Sequence, residues 1–340
     1  MNGILFVLVA LTWGSSFLFM KIGLEGLSPQ QVALGRVLLG ALTLLVILLA
    51  TRRRWPRSKA LWGHLLVLAV FLNAVPSSLV AWAEQSVPSG LASIYNATTP
   101  IMVLLAMPLL LPAERLRGRQ LAGVLIGIVG VLVLVGPWDL IGDPSVLATV
   151  PAQLALLGMT ACYGFGLAYM RRFVAGSGHD AVTLTTVQLT LAAGLMLLVA
   201  PVTATAPMQL DWRIVAAMLG LGCVGTGLAY MWNTGLVQAW GAARASTVTY
   251  LTPVVGVVLG VLVLGERVRW NEPVGGVVIL VGIALASGVL LLRRRRVVER
   301  DAVDQAVVAT DTAAAPAGVP DDVPSVAPET PQAVSRSARP

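Results

Sequence analysis

Small polar residues and a proline recur with the same spacing in two apolar stretches of this chain. Each set stands at positions i, i+3 and i+7, which lie on one face of a helix. The residues are Ser93, Asn96 and Pro100 in the first stretch and Ser246, Thr249 and Pro253 in the second. A proline inside a helix leaves an earlier backbone carbonyl without its donor and favours a kink. Two polar, kinked faces predict a binding site for a small molecule; packing of serine and threonine against their own helices is the alternative.

Further polar and aromatic residues lie in apolar stretches, where a polar group is costly unless it faces a cavity or a bundle interior. Asn73 and Ser77 share one helical face, as do Thr226 and Tyr230. We assign the following residues to the same candidate cavity: Trp13, Arg36, Asn73, Ser77, Tyr95, Thr99, Tyr163, Gln188, Thr226, Tyr230 and Tyr250. For Trp13, packing inside the bundle is the alternative.

Arg36 is the only arginine that we place inside an apolar span. Its guanidinium could bind a carboxylate or phosphate of a solute. It could equally reach outward to the membrane surface or hold a structural contact. Its neutral counterpart Gln188 indicates that the two parts of the chain do not share this role.

Three acidic residues border the apolar spans. Glu84 is the nearest to the candidate cavity; we expect an exposed loop carboxylate there, and coupling to proton movement is the alternative. Glu114 and Glu266 each stand a few residues before an apolar span, where the positive end of a helix dipole favours a carboxylate. Capping of those helices is the expected role for both.

The residues that would carry enzymatic chemistry are scarce. No glycine-rich phosphate loop is present, and the two histidines, His64 and His179, lie far apart. The two cysteines, Cys162 and Cys223, are expected to be buried packing residues. We therefore expect no metal, no cofactor and no enzyme. A membrane-embedded enzyme acting on lipid-linked groups, which would need a cluster of titratable residues at one interface, is kept as an alternative.

The elements that position these residues are membrane spans. The chain is 57% hydrophobic and 11% charged, with a mean hydropathy of +0.84, which is typical of a membrane protein. The predicted spans are Gly3–Ile22, Val32–Ala50, Leu61–Ala81, Gly90–Leu111, Gln120–Gly136, Pro151–Met170, Ala181–Ala200, Ile214–Leu236, Ala245–Leu264 and Val274–Leu292. Pro76 interrupts the third span, and Gly222, Gly225 and Gly227 interrupt the eighth.

Basic residues predict the orientation of the spans. The loops after the even-numbered spans carry 15 lysines and arginines, against 4 in the alternate loops. By the positive-inside rule both termini are cytoplasmic. The net charge of +7 then reflects topology, and no nucleic-acid partner is expected.

The chain contains an internal repeat. The stretch from Ala83 to Ala122 recurs as Leu236 to Val274, with Thr99 on Thr252 and Glu114 on Glu266. Five spans in each copy is an odd number, so the second copy enters the membrane in the opposite sense. We predict an all-α integral membrane fold of ten transmembrane helices in two inverted five-helix repeats, residues 1–140 and 141–296, with a disordered cytoplasmic tail at 297–340.

The pattern of motifs resembles the EamA family of the drug/metabolite transporter superfamily, over about residues 3 to 292. The motifs are Trp13-Gly14-Ser15-Ser16-Phe17, Arg36 in span two, the proline-containing fourth and ninth spans, and Gly265-Glu266-Arg267 at the end of span nine. The first copy departs from the last motif by reading Ala113-Glu114-Arg115.

The resemblance implies a secondary carrier of small organic metabolites in the cell membrane. We expect an exporter of amino acids or related compounds that works by alternating access. A drug, nucleoside or sugar carrier of the same fold is the alternative. The partners are the lipid bilayer and a small solute. The pairs Gly123/Gly127 and Gly256/Gly260 predict close helix packing and also allow a homodimer.

Overall fold

Helices make up every regular element in the part of the chain that the structure describes. This computed structural model describes residues 2–53, 55–112, 118–139, 144–240, 245 and 247–287. Glu114, Ser246 and the predicted tail lie outside these ranges.

The first half contains seven α-helices and one π-helical segment. They are α1 (Asn2–Gly23), α2 (Pro29–Ala50), α3 (Lys59–Ala69), the first π segment (Val70–Ala74), α4 (Val75–Ala83), α5 (Ser89–Asn96), α6 (Thr99–Leu110) and α7 (Gly118–Val135). The third predicted span is therefore built from α3, the π segment and α4, and the fourth from α5 and α6.

The second half follows the same order after a short 3₁₀ turn at Pro137–Asp139. Its described elements are α8 (Pro144–Phe173), α9 (Ala181–Thr203), α10 (Trp212–Leu219), the second π segment (Gly220–Leu228), α11 (Ala229–Trp240), α12 (Val248–Leu264) and α13 (Asn271–Ser287). The predicted interruptions of spans three and eight thus take the form of π segments at matching positions.

Length and composition support a multi-span membrane protein. Among the described residues, eight helices or joined helices are long and apolar enough to cross a bilayer, and α12 and α13 are shorter apolar helices. The prediction of an all-helical membrane fold is confirmed.

Span four differs from the prediction of one kinked helix. The helix ends at Asn96 and starts again at Thr99. Pro100 has no N–H to donate to the carbonyl of Asn96, so that carbonyl needs another donor. The hydroxyl of Thr99 donates to it at 2.8 Å, which stabilises the break.

Side-chain caps fix where several helices begin. Ser28 and Gln31 form a reciprocal capping box at the start of α2. Asp180 accepts from the backbone N–H of Thr183 at 3.0 Å to start α9, and it pairs with Arg53. Although partial burial raises the pKa of Asp180, hydrogen bonds from Thr183 and the charge of Arg53 hold it below its ordinary value.

The helices of the two halves pack in matching pairs. α1 packs on α12, and α8, which is the counterpart of α1, packs on α6. α2 packs on the second π segment, and its counterpart α9 packs on α3 and the first π segment. α7 packs on α13, α5 on α12, and α2 on α9, so counterpart helices also contact each other.

Glycines bring α7 and α13 into backbone contact. A Cβ atom added at Gly123 would lie 2.5 Å from the carbonyl oxygen of Gly282, and one at Gly130 would lie 2.7 Å from the amide nitrogen of Ile279. These neighbours are backbone atoms and cannot rotate away. Residue numbers rise along α7 as they fall along α13, so the two helices run antiparallel.

The two predicted glycine pairs make their contacts inside the chain. Gly123 contacts α13 and Gly127 contacts α6, whereas Gly256 and Gly260 both contact α5. These glycines therefore allow close helix packing within a single protein chain. The homodimer stays a prediction.

A leucine at Gly123 should destabilise the bundle. We expect Gly123→Leu to cost about 1–3 kcal/mol, as overpacking does, because backbone faces the new side chain. Loss of the monodisperse gel-filtration peak on heating the detergent-purified protein measures the effect. Gly194→Leu on α9 is the matched control, since an added Cβ there meets nothing within 4 Å. Equal melting of the two variants would contradict the tight α7–α13 contact.

Candidate functional site

A cavity of about 840 Å³ lies between the two halves. Eight of the residues singled out from the sequence line it: Trp13, Arg36, Asn96, Thr99, Pro100, Tyr163, Tyr230 and Thr249. They come from α1, α2, α5, α6, α8, α11 and α12, so both halves build the wall. Its size is that of a pocket for a small organic molecule.

The cavity reaches the surface at one end of the bundle. Arg119 near the start of α7, Arg171 in the last turn of α8 and Ser287 at the end of α13 line it and are exposed. The loops beyond these helix ends are those that the positive-inside rule assigns to the cytoplasm.

Counterpart residues of the two repeats face the cavity together. The lining pairs are Trp13 with Tyr163, Phe17 with Leu167, Asn96 with Thr249, and Thr99 with Thr252. The side chains near each proline therefore supply polar groups from opposite walls. This arrangement can hold a solute by hydrogen bonds at mid-depth and by apolar contact around them.

Arg36 is held by a residue of the other half. Its Nε donates to the hydroxyl oxygen of Thr226 at 3.3 Å, and that hydroxyl donates to the backbone carbonyl of Leu221 at 3.0 Å. Thr226 and Leu221 lie in the second π segment. A π segment changes the direction of side chains relative to an α-helix and is frequent at functional sites.

Aromatic rings form the wall beside Arg36. The rings of Trp13 and Tyr230 meet edge to face, with centroids 6.3 Å apart and planes at 71°, a favourable geometry for aromatic pairs. Arg36, Tyr163 and Tyr230 all line the same cavity. One guanidinium and two phenols are therefore available to a solute there.

Seven candidate residues do not line the cavity. Asn73, Ser77, Ser93, Tyr95, Gln188 and Thr226 are buried, and Tyr250 bonds to Ser287 instead. Ser93 donates to the carbonyl of Gly90 at 2.6 Å, and Tyr95 donates to Gln153 at 2.6 Å. The hydrogen bonds of Ser93 and Tyr95 fit the packing alternative, whereas the buried amide nitrogen of Asn73 has no hydrogen-bond partner among the described residues.

Glu84 was expected to be an exposed loop carboxylate. This expectation is wrong, because Glu84 is fully buried at the end of α4. Lys21 covers this turn by donating to the backbone carbonyls of Glu84 and Val87. Both carboxyl oxygens of Glu84 lack a hydrogen-bond partner among the described residues.

Glu266 caps a helix, but not the one that follows it. Its carboxylate accepts from the backbone N–H groups of Ser89 at 2.7 Å and Gly90 at 3.0 Å. These are the first residues of α5, in the other half of the chain. The electrostatic reason is the expected one, since the start of a helix attracts negative charge. Sequence spacing points to the neighbouring helix and cannot identify a distant one.

Several lining residues were not selected from the sequence. They are Ser16, Phe17, Arg119, Gln120, Arg171, Thr252 and Ser287, with apolar side chains from α4, α6, α8 and α13. The repeat offered a signal for Thr252, because it aligns with Thr99. Arg119 and Arg171 were counted only as markers of topology.

The charged residues among the described lining residues are all basic. Arg36, Arg119 and Arg171 line the cavity, and none of its described lining residues is acidic. Within the described ranges, no group of three or more histidine, cysteine, aspartate or glutamate residues could hold a metal ion.

Comparisons with known proteins agree with a transporter fold. The uncharacterized inner membrane transporter YedA of Escherichia coli K12 is 30% identical over 305 residues, covering 87% of this chain and 94% of YedA. The probable amino-acid metabolite efflux pump of the same strain is 27% identical over 309 residues, covering 88% and 98%. A solved crystal structure aligns with a TM-score of 0.56 at 20% identity, over 86% of this chain and 98% of that chain, which shows the fold alone.

The model of the EamA-like transporter family matches residues 1–136 and again residues 150–288. These two matches agree with the internal repeat, and they confirm the resemblance seen in the motifs. The relatives' names point to transport and, for YedA, to the inner membrane, and the apolar helices fit a multi-pass membrane protein. The chain belongs to the EamA-like transporter family.

Proposed function

We propose that this protein exports amino acids or related small metabolites by alternating access between two inverted five-helix repeats. The observation that carries the proposal is the cavity of about 840 Å³, lined by counterpart residues of both halves. Inverted repeats give two nearly equivalent packings, one open to each side of the membrane. A second class of function, a membrane enzyme, has no support from the lining residues.

The helix packing supports the inversion. α7 and α13 are counterparts in the repeat, and they cross antiparallel. α5 and α12 also run antiparallel, since Gly256 faces Ser93 and Gly260 faces Ser89. Counterparts that run in opposite directions are expected when the second repeat enters the membrane from the other side.

Hydrogen bonds between the halves tie the end of the bundle opposite the cavity mouth. Glu266 holds the start of α5, and Gln31 donates to the backbone carbonyls of Ala204 at 3.1 Å and Ala206 at 2.6 Å. The amide of Gln209 donates to the carbonyl of Gly26 at 2.9 Å. We assign this end to the outside of the cell, which makes the structure an inward-open state.

Export is the first outcome to test. Cells that overproduce the protein should accumulate one class of metabolite in the medium, measured by mass spectrometry of cells and medium. Asn96→Leu/Thr249→Leu replaces a polar group on each wall, and we expect it to reduce that accumulation about tenfold or more, because two polar contacts are lost.

Thr203→Leu is the matched control for this test. Thr203 is exposed on α9 and does not line the cavity. The variants are compared at equal membrane abundance. Equal external metabolites for the wild type, the double variant and an empty vector would contradict export.

The orientation is tested by cysteine labelling. Cys162 and Cys223 are first replaced by serine, and then Gln209→Cys or Arg57→Cys is introduced. A membrane-impermeant maleimide added to intact cells should label the cysteine at 209, in the loop between α9 and α10. The cysteine at 57, in the basic loop before α3, should react only after the membrane is opened. The reverse pattern would overturn the assignment of the termini to the cytoplasm.

The cap made by Glu266 should control opening at the outer end. Glu266→Ala removes the acceptor of two amide groups of α5, and bonds to a charged acceptor are strong. We expect the mutation to raise, by about tenfold, the rate at which an external thiol reagent labels Thr99→Cys in the cavity.

Glu25→Ala is the control for the cap. Glu25 forms an exposed ion pair with Arg213 at the same end, with a distance of 3.6 Å, and such pairs contribute little. If Glu25→Ala and Glu266→Ala accelerate labelling equally, the cap has no special role in closing this end.

A further inference from the structure

We infer that the cavity recognises its solute through a carboxylate bound at Arg36, and that the solute needs no free amino group. The inference rests on the proposed transport function and narrows its substrate class to organic carboxylates. It depends on three features: the free donors of Arg36, the phenols beside it and the absence of acidic residues from the described wall.

The two Nη atoms of Arg36 are available to donate hydrogen bonds to a solute. Its Nε is engaged by Thr226, but neither Nη atom donates a hydrogen bond to any residue that the structure describes. The described ion pairs do not include Arg36 either. A guanidinium in a membrane span is costly unless something compensates its charge. A carboxylate matches the two Nη groups as a bidentate partner.

Thr226 gives the guanidinium a fixed direction. Its hydroxyl hydrogen is used on the carbonyl of Leu221, so its oxygen lone pairs are left to accept from Nε of Arg36. The methyl group of Thr226 packs against Gly40, where an added Cβ would lie 2.6 Å from it. Thr226 is therefore a positioning residue, held by α2 and by its own π segment.

Tyr163 and Tyr230 add two hydroxyl donors to those of the Arg36 guanidinium. Tyr163 and Tyr230 line the cavity together with Arg36, and within the described ranges their hydroxyls have no hydrogen-bond partner. Phenol and guanidinium groups can all donate to carboxylate oxygens. The edge-to-face pair of Trp13 and Tyr230 supplies an apolar surface for the rest of the solute.

An ammonium group finds no equivalent partner. No described lining residue is a carboxylate, and the cationic side chains of Arg36 and Arg119 line the cavity. The field of these charges favours an anion over a zwitterion and disfavours a cation. An N-acylated amino acid or another organic acid therefore suits the wall better than an amine does.

The test is binding to the purified full-length protein, measured apart from transport. The probes are matched sets built on leucine, methionine and phenylalanine: the free amino acid, its N-acetyl derivative and its C-terminal amide. Isothermal titration gives the affinity of each probe. We expect the N-acetyl acid to bind at least as tightly as the amino acid in one or more sets, and the amide to bind at least tenfold more weakly.

Variants assign the effect to Arg36. Arg36→Gln, which copies its counterpart Gln188, should weaken binding of the acids by about 10- to 100-fold and leave the amides unchanged. Arg36→Lys keeps the charge without the fork and should lose less. Thr226→Val should weaken binding about 2- to 10-fold, and Thr226→Ser should restore it, because only the hydroxyl is needed. Arg57→Gln, in an exposed loop, is the control.

Three results would overturn the inference. They are an amide that binds as well as its acid, loss of binding on N-acetylation in every set, and acids whose affinity Arg36→Gln does not change. Binding of none of the acids counts against it as well. The proposed export function fails separately, when cells release no metabolite that depends on the cavity residues. Export of an amine or a sugar would keep the transport function and reject the carboxylate.

Discussion

Backbone groups freed by a break in a membrane helix must find partners within the protein, because lipid offers none. This bundle contains breaks in several spans. Carbonyls at the break in span four and in the turn between spans three and four find donors within the protein. The carbonyl of Asn96 accepts a hydrogen bond from the hydroxyl of Thr99. The carbonyls of Glu84 and Val87 accept hydrogen bonds from the ammonium group of Lys21. The break in span four is stabilised in this way, and the residues on either side of it, Asn96 and Thr99, line the cavity.

The same requirement couples the halves. Glu266 satisfies the first amides of α5, and Asn271 donates to the carbonyl of Leu134 at the end of α7 at 2.9 Å. Each of these bonds joins a helix end of one half to a side chain of the other. In the proposed alternating-access mechanism, relative motion of the halves would break such bonds as a group, which favours two discrete arrangements over a continuous range. The polar caps would then serve switching as well as stability.

The sequence predicted the helices and part of the wall. Trp13, Tyr163, Asn96 and Thr249 were selected from the sequence, and they line the cavity. Ser93 was placed on the same face as Asn96 because of helical spacing. However, Ser93 packs against Gly256, and the helix ends at Asn96, so the next polar lining residue is set by the break and not by the helical period.

The burial of Glu84 and the partner of Glu266, at the end of the bundle opposite the cavity mouth, could not be predicted from sequence spacing. Glu84 reads as a loop carboxylate in the sequence, and only the fold shows that its turn is covered by Lys21. The partner of Glu266 is about 177 residues away in the chain, whereas a capping rule considers only the helix that follows. The signals that failed were local rules applied to contacts between halves.

The departures from symmetry carry the specificity of the cavity. Two identical halves would present the same groups from both walls, and a solute could then bind in either orientation. Arg36 has the neutral counterpart Gln188, which is buried away from the cavity, and Tyr230 has Ser77, which is also buried. Arg36 and Tyr230 therefore give the cavity a cation and a phenol whose counterparts do not line it, whereas Asn96 and Thr249 line it as a pair. In the proposed carrier, the repeat supplies the path through the membrane, and its broken symmetry orients the solute along that path.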